Sequence, residues 1–349
     1  MVCIAAFIIL ALMGIFVGIL SIFKRDIGKK YWKMFKKAWG CVWKKVRLQK
    51  CETGFKEDVK NTIMSRVIIR HPKWVKPLEI ILEVLSVIIV IIAIWAIATA
   101  IKSLLALWAL GTCNVTQPAS CALGAEVCGI EEKEPENIFE ATGRWFTEWG
   151  EIFAAIPDKF TSYDPEKFDL AYVRPVEPFE EGTKIVVDIV DPGCIICKKS
   201  YYAQKNSEYF LSHEVRVVPF VIMKPDGTPK FKNSEIAARY MLALKDHSVA
   251  GIIILEKIFL ESDADGVSYQ DRFNEDYSDS KARETIENWL REINMSEEEI
   301  SAAREKAASE EITNMLEKNR KIVEEDIHVK GIPTMIYDGA KHTGQYKAE

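Results

Sequence analysis

Two cysteines, Cys194 and Cys197, flank an Ile-Ile spacer in the stretch KIVVDIVDPGCIICKKS, residues 184–200. Thiols at this spacing suit thiol–disulfide exchange, in which one sulfur is attacked while the other closes or releases the bond. The first sulfur has to be acidic and reachable, and the second has to wait beneath it. The flanking residues supply both conditions. Lys184 to Asp191 is a β-branched run stopped by Pro192 and Gly193, which predicts a buried strand and a tight turn. A helix starting after the turn sets Cys194 among unpaired N–H groups at its positive end, where a thiolate is favoured. The same helix carries Cys197 nearly one turn on, along the same face.

A second stretch, HVKGIPTMIYDG at 328–339, has Gly-Ile-Pro-Thr opening an apolar strand. A third feature is Asp188, six residues before Cys194 in an otherwise apolar run. Buried there, its carboxyl would have a raised pKa and could accept or return the Cys197 proton; the plainer alternative is an edge-strand acid facing solvent. In these residues the chain resembles the thioredoxin superfamily. The resemblance implies that Pro333 is a cis-proline beside the active-site disulfide, and that Ile332, Pro333 and Thr334 hold an extended substrate segment by its backbone. It also implies catalytic roles for Cys194, Cys197 and Asp188.

About a hundred residues separate the strand expected at Val215–Met223 from Pro333. Helical patterns fill them, at Ser234 to Asp246, Val249 to Glu261, Ser280 to Ile293 and Ser296 to Asn319, the last opened by a Ser296/Glu299 capping box. With this insertion, at about 233–320, residues 184–349 resemble the DsbA-like extracytoplasmic disulfide oxidoreductases. Two departures stand out. Ile195-Ile196 replaces the His-containing spacer common in that family, which implies a less acidic Cys194 unless Lys198 or Lys199 turns toward the sulfur. After Tyr337-Asp338-Gly339 a return strand is expected at His342 to Tyr346, with no closing helix behind it. Glu261, Asp263, Asp265 and Gly266 imitate a calcium loop, but Arg272 stands where a bidentate Glu is required, so a solvated acidic turn is expected.

The elements that carry this domain are read from charge and hydropathy. Residues 24–77 hold 17 Lys or Arg against 4 Asp or Glu, whereas residues 111–349 hold 28 against 45. Pools of net +13 and −17 do not belong to one uniform soluble body. Ile4 to Phe23 is long and apolar enough to span a bilayer, and lacks the charged n-region and cleavage site of a signal peptide. A second apolar run, Val84 to Ile101, continues past Lys102 to Leu110; Lys102 is expected to reach toward the outer interface. The short basic loop between them places the N-terminus and residues 111–349 outside the cytoplasm. Its Lys/aromatic mixture, KKYWKMFKKAWGCVWKK, next to a span reads as a helix on anionic headgroups, not a nucleic-acid site.

The expected fold class is therefore an α/β thioredoxin-like fold with a helical insertion, attached to an N-terminal two-helix transmembrane anchor. The segments are a first span (1–23), a basic loop (24–77), a second span (78–110), a Cys-containing connector with an amphipathic helix (111–183) and the redox domain (184–349). Cys113, Cys121 and Cys128 in the connector can supply one structural disulfide, the third sulfur staying free or pairing with Cys3 or another chain. No cofactor or metal is called for. The expected partners are cysteine-containing exported proteins, a membrane or extracytoplasmic redox partner and the lipid bilayer, with no nucleic acid. Oxidant, reductase and isomerase directions remain open, as does a non-catalytic binding module.

Overall fold

The computed structural model describes residues 75–174, 184–208, 212–247 and 249–346, together with parts of 32–47. The first expected span, most of the basic loop and residues 175–183 lie outside the described residues. The chain divides into two compact units, Met1–Ile101 and Lys102–Glu349.

In the first unit the described residues between Trp32 and Lys44 are helical. Aromatic rings stack along them, Trp32 on Phe35 at 5.6 Å and Trp39 near Trp43 at 6.3 Å. Lys36 lies over Trp32 and Arg47 over Trp43. The long helix α1 (Val75–Leu110) begins in this unit. Ile91 and Ile97 on it are 60% and 61% exposed, so its apolar surface is not spent on a protein core. Residues Val87–Leu110 are long and apolar enough to cross a membrane by length and composition.

The final turns of α1 belong to the second unit, where they behave as part of a folded domain. Ala106, Ala109 and Leu110 are buried with Val115, Ile152 and Ala155. The last two lie on the amphipathic helix α2 (Ile138–Ala155). Lys102, expected to reach toward the outer interface, is buried and ion-paired with Glu148 of α2, whose other oxygen accepts the Thr116 hydroxyl at 2.8 Å. A buried ammonium needs such a partner, which the periodicity of α1 alone could not reveal. Before α2 comes a short strand, β1 (Cys128–Gly129).

The core sheet is built from β2 (Lys184–Val190), β3 (His213–Pro219), β5 (Thr334–Tyr337) and β6 (Ala340–Thr343), in the order β3-β2-β5-β6. The helix α3 (Ile195–Lys205) makes the crossover between the parallel strands β2 and β3. Strand β5 then runs antiparallel to both β2 and β6. Val173 adds an isolated antiparallel bridge to Val217 at the edge. Pro219 ends β3 opposite Val190, where the missing N–H breaks no ladder and Phe220 N–H takes over, donating to the Val190 carbonyl at 2.8 Å. Asp338 and Gly339, with φ of 49° and 74°, form a two-residue hairpin turn. The return strand consequently starts at Ala340, two residues earlier than expected.

The insertion holds α4 (Ser234–Ala243), α5 (Ala250–Leu260), α6 (Asp279–Glu292), α7 (Glu297–Ala307) and α8 (Glu310–Lys321). The Ser296/Glu299 capping box is present, but the helix it opens stops at Ala307. Ser309 caps a new one by accepting the Ile312 N–H, so a single expected helix is two. Asn233 and Ser278 stand at the N-caps of α4 and α6, so each helix starts within a residue of the expected Ser234 and Ser280. Trp289 of α6 stacks on Phe273, and the buried Glu287 accepts from Arg304 Nε and Nη2, each at 2.6 Å, and from the Tyr240 hydroxyl at 2.9 Å. In the acidic turn Arg272 binds Asp263, Asp265 and Asp276, neutralising the carboxylates that a calcium ion would need. The remaining strand, β4 (Gly331–Ile332), pairs antiparallel with β1.

Candidate redox site

The turn that presents Cys194 is fastened on several sides. Asp191 accepts the Gly193 N–H and the Ile222 N–H, each at 2.8 Å, through its two oxygens. From the insertion, Gln270 and Asn274 donate to the carbonyls of Pro192 and Gly193, each at 2.9 Å. A Cβ at position 193 would lie 2.2 Å from the Phe231 Cβ, so only glycine fits beneath that ring. Chain leaving this turn enters α3 with Cys194 as N-cap, and the Cys197 N–H points at the Cys194 sulfur at 3.4 Å. Sequence and structure agree on this local arrangement because strand, turn and cap are all short-range features.

The strand expected to hold Pro333 arrives at the same place. The Ile332–Pro333 peptide is cis, and the Cys194 sulfur lies 3.9 Å from the Ile332 carbonyl oxygen. The Thr334 hydroxyl donates to the Gly331 carbonyl at 2.7 Å and lies 3.2 Å from the Thr343 hydroxyl. Cys194, Cys197, Ile332 and Thr334 are all fully buried.

The sulfur pairing differs from expectation. Cys194 is bonded to Cys128, and Cys197 is a buried thiol. Cys113 and Cys121 form the connector's own disulfide. Of the trio of connector cysteines, then, two make a local bridge and the third reaches 66 residues along the chain into the site. The physical reason is the pairing of β1 with β4, which sets Cys128 opposite Ile332 and Gly129 opposite Gly331. Ile130 N–H extends the pairing, donating to the Lys330 carbonyl at 3.0 Å. Lys198 does not turn toward the sulfur either; its ammonium donates to the Ser268 hydroxyl at 2.6 Å. Lys199 is exposed.

Asp188 is fully buried, which removes the solvent-facing alternative. Burial pushes its carboxyl up to about 7, against a single hydrogen bond from Gln204 at 3.1 Å, and its second oxygen has no partner. Asp191 is likewise pushed up to about 7 by burial, opposed by the N–H groups of Ile222 and Gly193. The Cys197 thiol is driven well above its ordinary value by burial first, with the neighbouring charges of Asp191 and Asp188 adding to it. A thiol with that proton affinity is a poor nucleophile until a base relieves it, and a good acceptor of a proton once released from a disulfide. Both acids are close enough for their charges to act on this thiol. Of the residues gathered here, Asp191 and Gln204 escaped sequence reasoning, and Cys128 was named as a disulfide candidate without its partner Cys194. Asp191 had a signal, since Asp two residues before a turn glycine commonly receives its N–H.

No family model matches the sequence, and no curated protein matches it. Among solved structures, the chain is similar to the catalytic domain of Proteus mirabilis ScsC, with 15% identity, a TM-score of 0.36, and coverage of 51% of this chain and 84% of that one. It is also similar to the thiol-disulfide exchange protein alpha-DsbA2 from Wolbachia pipientis (19% identity, TM-score 0.36, 52% of this chain and 83% of that one). A thioredoxin-like oxidoreductase from Silicibacter pomeroyi gives 16% identity and a TM-score of 0.38 over 53% of this chain and 91% of that one.

Proposed function

We propose that this chain is a membrane-anchored thiol–disulfide oxidoreductase that forms or exchanges disulfides in exported, cysteine-containing proteins through Cys194 and Cys197. The observation that supports this most is a convergence: Cys194 caps a helix, receives the Cys197 N–H, and lies 3.9 Å from the carbonyl of the residue before Pro333. In the oxidising direction the working pair is Cys194–Cys197. A substrate thiolate attacks the Cys194 sulfur, and Cys197 leaves and takes a proton from Asp188, whose carboxyl keeps one up to about pH 7. A second substrate thiolate attacks the substrate sulfur of the mixed disulfide and expels Cys194, leaving an oxidised substrate and a dithiol that a redox partner reoxidises. Ile332, Pro333 and Thr334 form the edge on which the substrate segment lies. The reductase and isomerase directions use the same residues in reverse, and the potential of the pair against glutathione selects among them.

The bilayer and the two-pass topology belong to the same proposal. The apolar surface of α1 and the basic loop ahead of it support an outward-facing redox domain, with the buried Lys102–Glu148 pair on the domain side of the membrane. A second reading, a binding module with purely structural cysteines, is favoured by the full burial of Cys194.

The full-length chain in detergent, assayed for oxidation of reduced ribonuclease and reduction of insulin, separates the two. Exchange should occur and should vanish in Cys194→Ser. No activity in the wild type even after pre-reduction with dithiothreitol supports the binding module, and activity surviving that substitution contradicts Cys194 as the exchanging sulfur. Impermeant maleimide on intact cells should label the reduced outward cysteines and spare Cys41 and Cys51; the reverse pattern contradicts the topology.

A further inference from the structure

The edge expected to receive a substrate is filled by the chain itself. Cys128 and Gly129 pair antiparallel with Ile332 and Gly331, and the Cys128 sulfur is joined to Cys194. The fit is close: a Cβ at position 331 would lie 2.6 Å from the Val127 Cγ2. Charges hold the segment down on both sides. Lys230 donates to the Gly129 carbonyl at 3.3 Å and to Glu131 at 2.6 Å, while Lys330 binds Glu132 and Glu151, each at 2.9 Å. Backbone pairing beside Pro333 together with a bond to the helix-capping sulfur is the geometry of a trapped mixed disulfide, with residues 127–130 in the place of a bound peptide.

We propose that Cys128 is a third redox cysteine of this site, an internal substrate that caps Cys194 and is released by Cys197. This rests on the exchange activity proposed above. The step needs no outside oxidant. Cys197 gives its proton to the carboxylate form of Asp188 and attacks the Cys194 sulfur. The Cys194–Cys197 bond forms as the Cys128–Cys194 bond breaks, and Cys128 leaves as a thiolate that is then protonated. One disulfide and one thiol are present before and after, so the pair is made ready and the cap freed without net oxidation. An incoming peptide with its own cysteine then competes with residues 127–130 for the β4 edge. The capped sulfur is thereby shielded from small thiols until a peptide that can pair with β4 is present.

The test maps disulfides by differential alkylation and mass spectrometry in full-length chain, and in parallel measures exchange with a reduced cysteine peptide. Wild type should yield the Cys128–Cys194 cross-linked peptide. Cys128→Ser should yield Cys194–Cys197 instead and exchange at least tenfold faster, while Cys197→Ala should retain Cys128–Cys194. Cys128→Ala serves as a second variant, and circular dichroism spectra of both variants that match wild type at the assay temperature exclude a folding defect as the cause. Cys128 free under every glutathione ratio, or Cys128 variants that exchange at the wild-type rate, would overturn the proposal while leaving the oxidoreductase reading standing. Exchange that persists in Cys194→Ser would remove that reading whatever Cys128 does.

Discussion

The second unit holds two disulfides that differ in nearly every respect. Cys113–Cys121 closes a loop of separation 8 within the connector, whereas Cys128–Cys194 joins residues 66 apart and ends at the mouth of a helix. Loop-closure entropy alone assigns the first about 2.5 kcal/mol and the second about 4.3 kcal/mol at separations of 8 and 66, so the longer bridge should be the harder to open. Its surroundings argue the opposite. A buried thiol, Cys197, stands one turn away with its N–H on the shared sulfur, and two buried acids lie around it. The local bridge has no such neighbours among the described cysteines. On the proposed reading, a bond that is entropically strong yet placed beside its own leaving route is one to be exchanged, and a bond lacking that route is one to stay.

The largest effect is expected from Cys194→Ser. Exchange should fall to the uncatalysed background while Cys113–Cys121 survives intact in peptide maps, showing that the two bridges are independent. Next comes Asp188→Asn. The folded chain keeps the Asp188 proton up to about pH 7, whereas an unfolded chain releases it near 3.8. Between those values the folded state binds more protons, so the stability of the wild type falls as pH rises, at ~1.4 kcal/mol for each tenfold difference in proton affinity. The substitution should therefore stabilise the chain by on the order of a few kcal/mol at pH 8 and by almost nothing at pH 3, read by urea denaturation. It should also slow exchange between Cys128–Cys194 and Cys197, leaving Cys113–Cys121 untouched. The double change Cys113→Ala with Cys121→Ala should cost about 2.5 kcal/mol of stability with the exchange rate of Cys194 unaltered. Smallest is Lys230→Ala, which removes one partly exposed tie on the capping segment. A loss of roughly 0.2–1 kcal/mol is expected, with faster release of Cys128 in stopped-flow thiol labelling.

How far the sequence could carry this account follows from the range of each interaction. Strand β2, the Pro192-Gly193 turn, the cap at Cys194 and the Ser296 capping box are written within a few residues and were legible. So was Asp188, because an acid in an apolar strand is conspicuous. The break at Ala307 was not, since Ser309 competes with a helix pattern that runs unbroken through it. The partner of Lys102 was hidden because Glu148 lies 46 residues on, and hydropathy knows nothing of partners. The pairing of Cys128 was hidden for the same reason. Its determinant is the register of β1 on β4, set by strands of two residues each whose brevity leaves no periodic signal.

A redox titration of the full chain in glutathione buffers, with each cysteine quantified by differential alkylation, decides which of the two bridges opens first. The account predicts that Cys128 and Cys194 change partners or open at a less reducing poise than Cys113 and Cys121, with Cys197 changing in step with Cys194. Opening of Cys113–Cys121 first, or a Cys128–Cys194 bond that persists in the presence of a free Cys197 until the most reducing buffers, would contradict it.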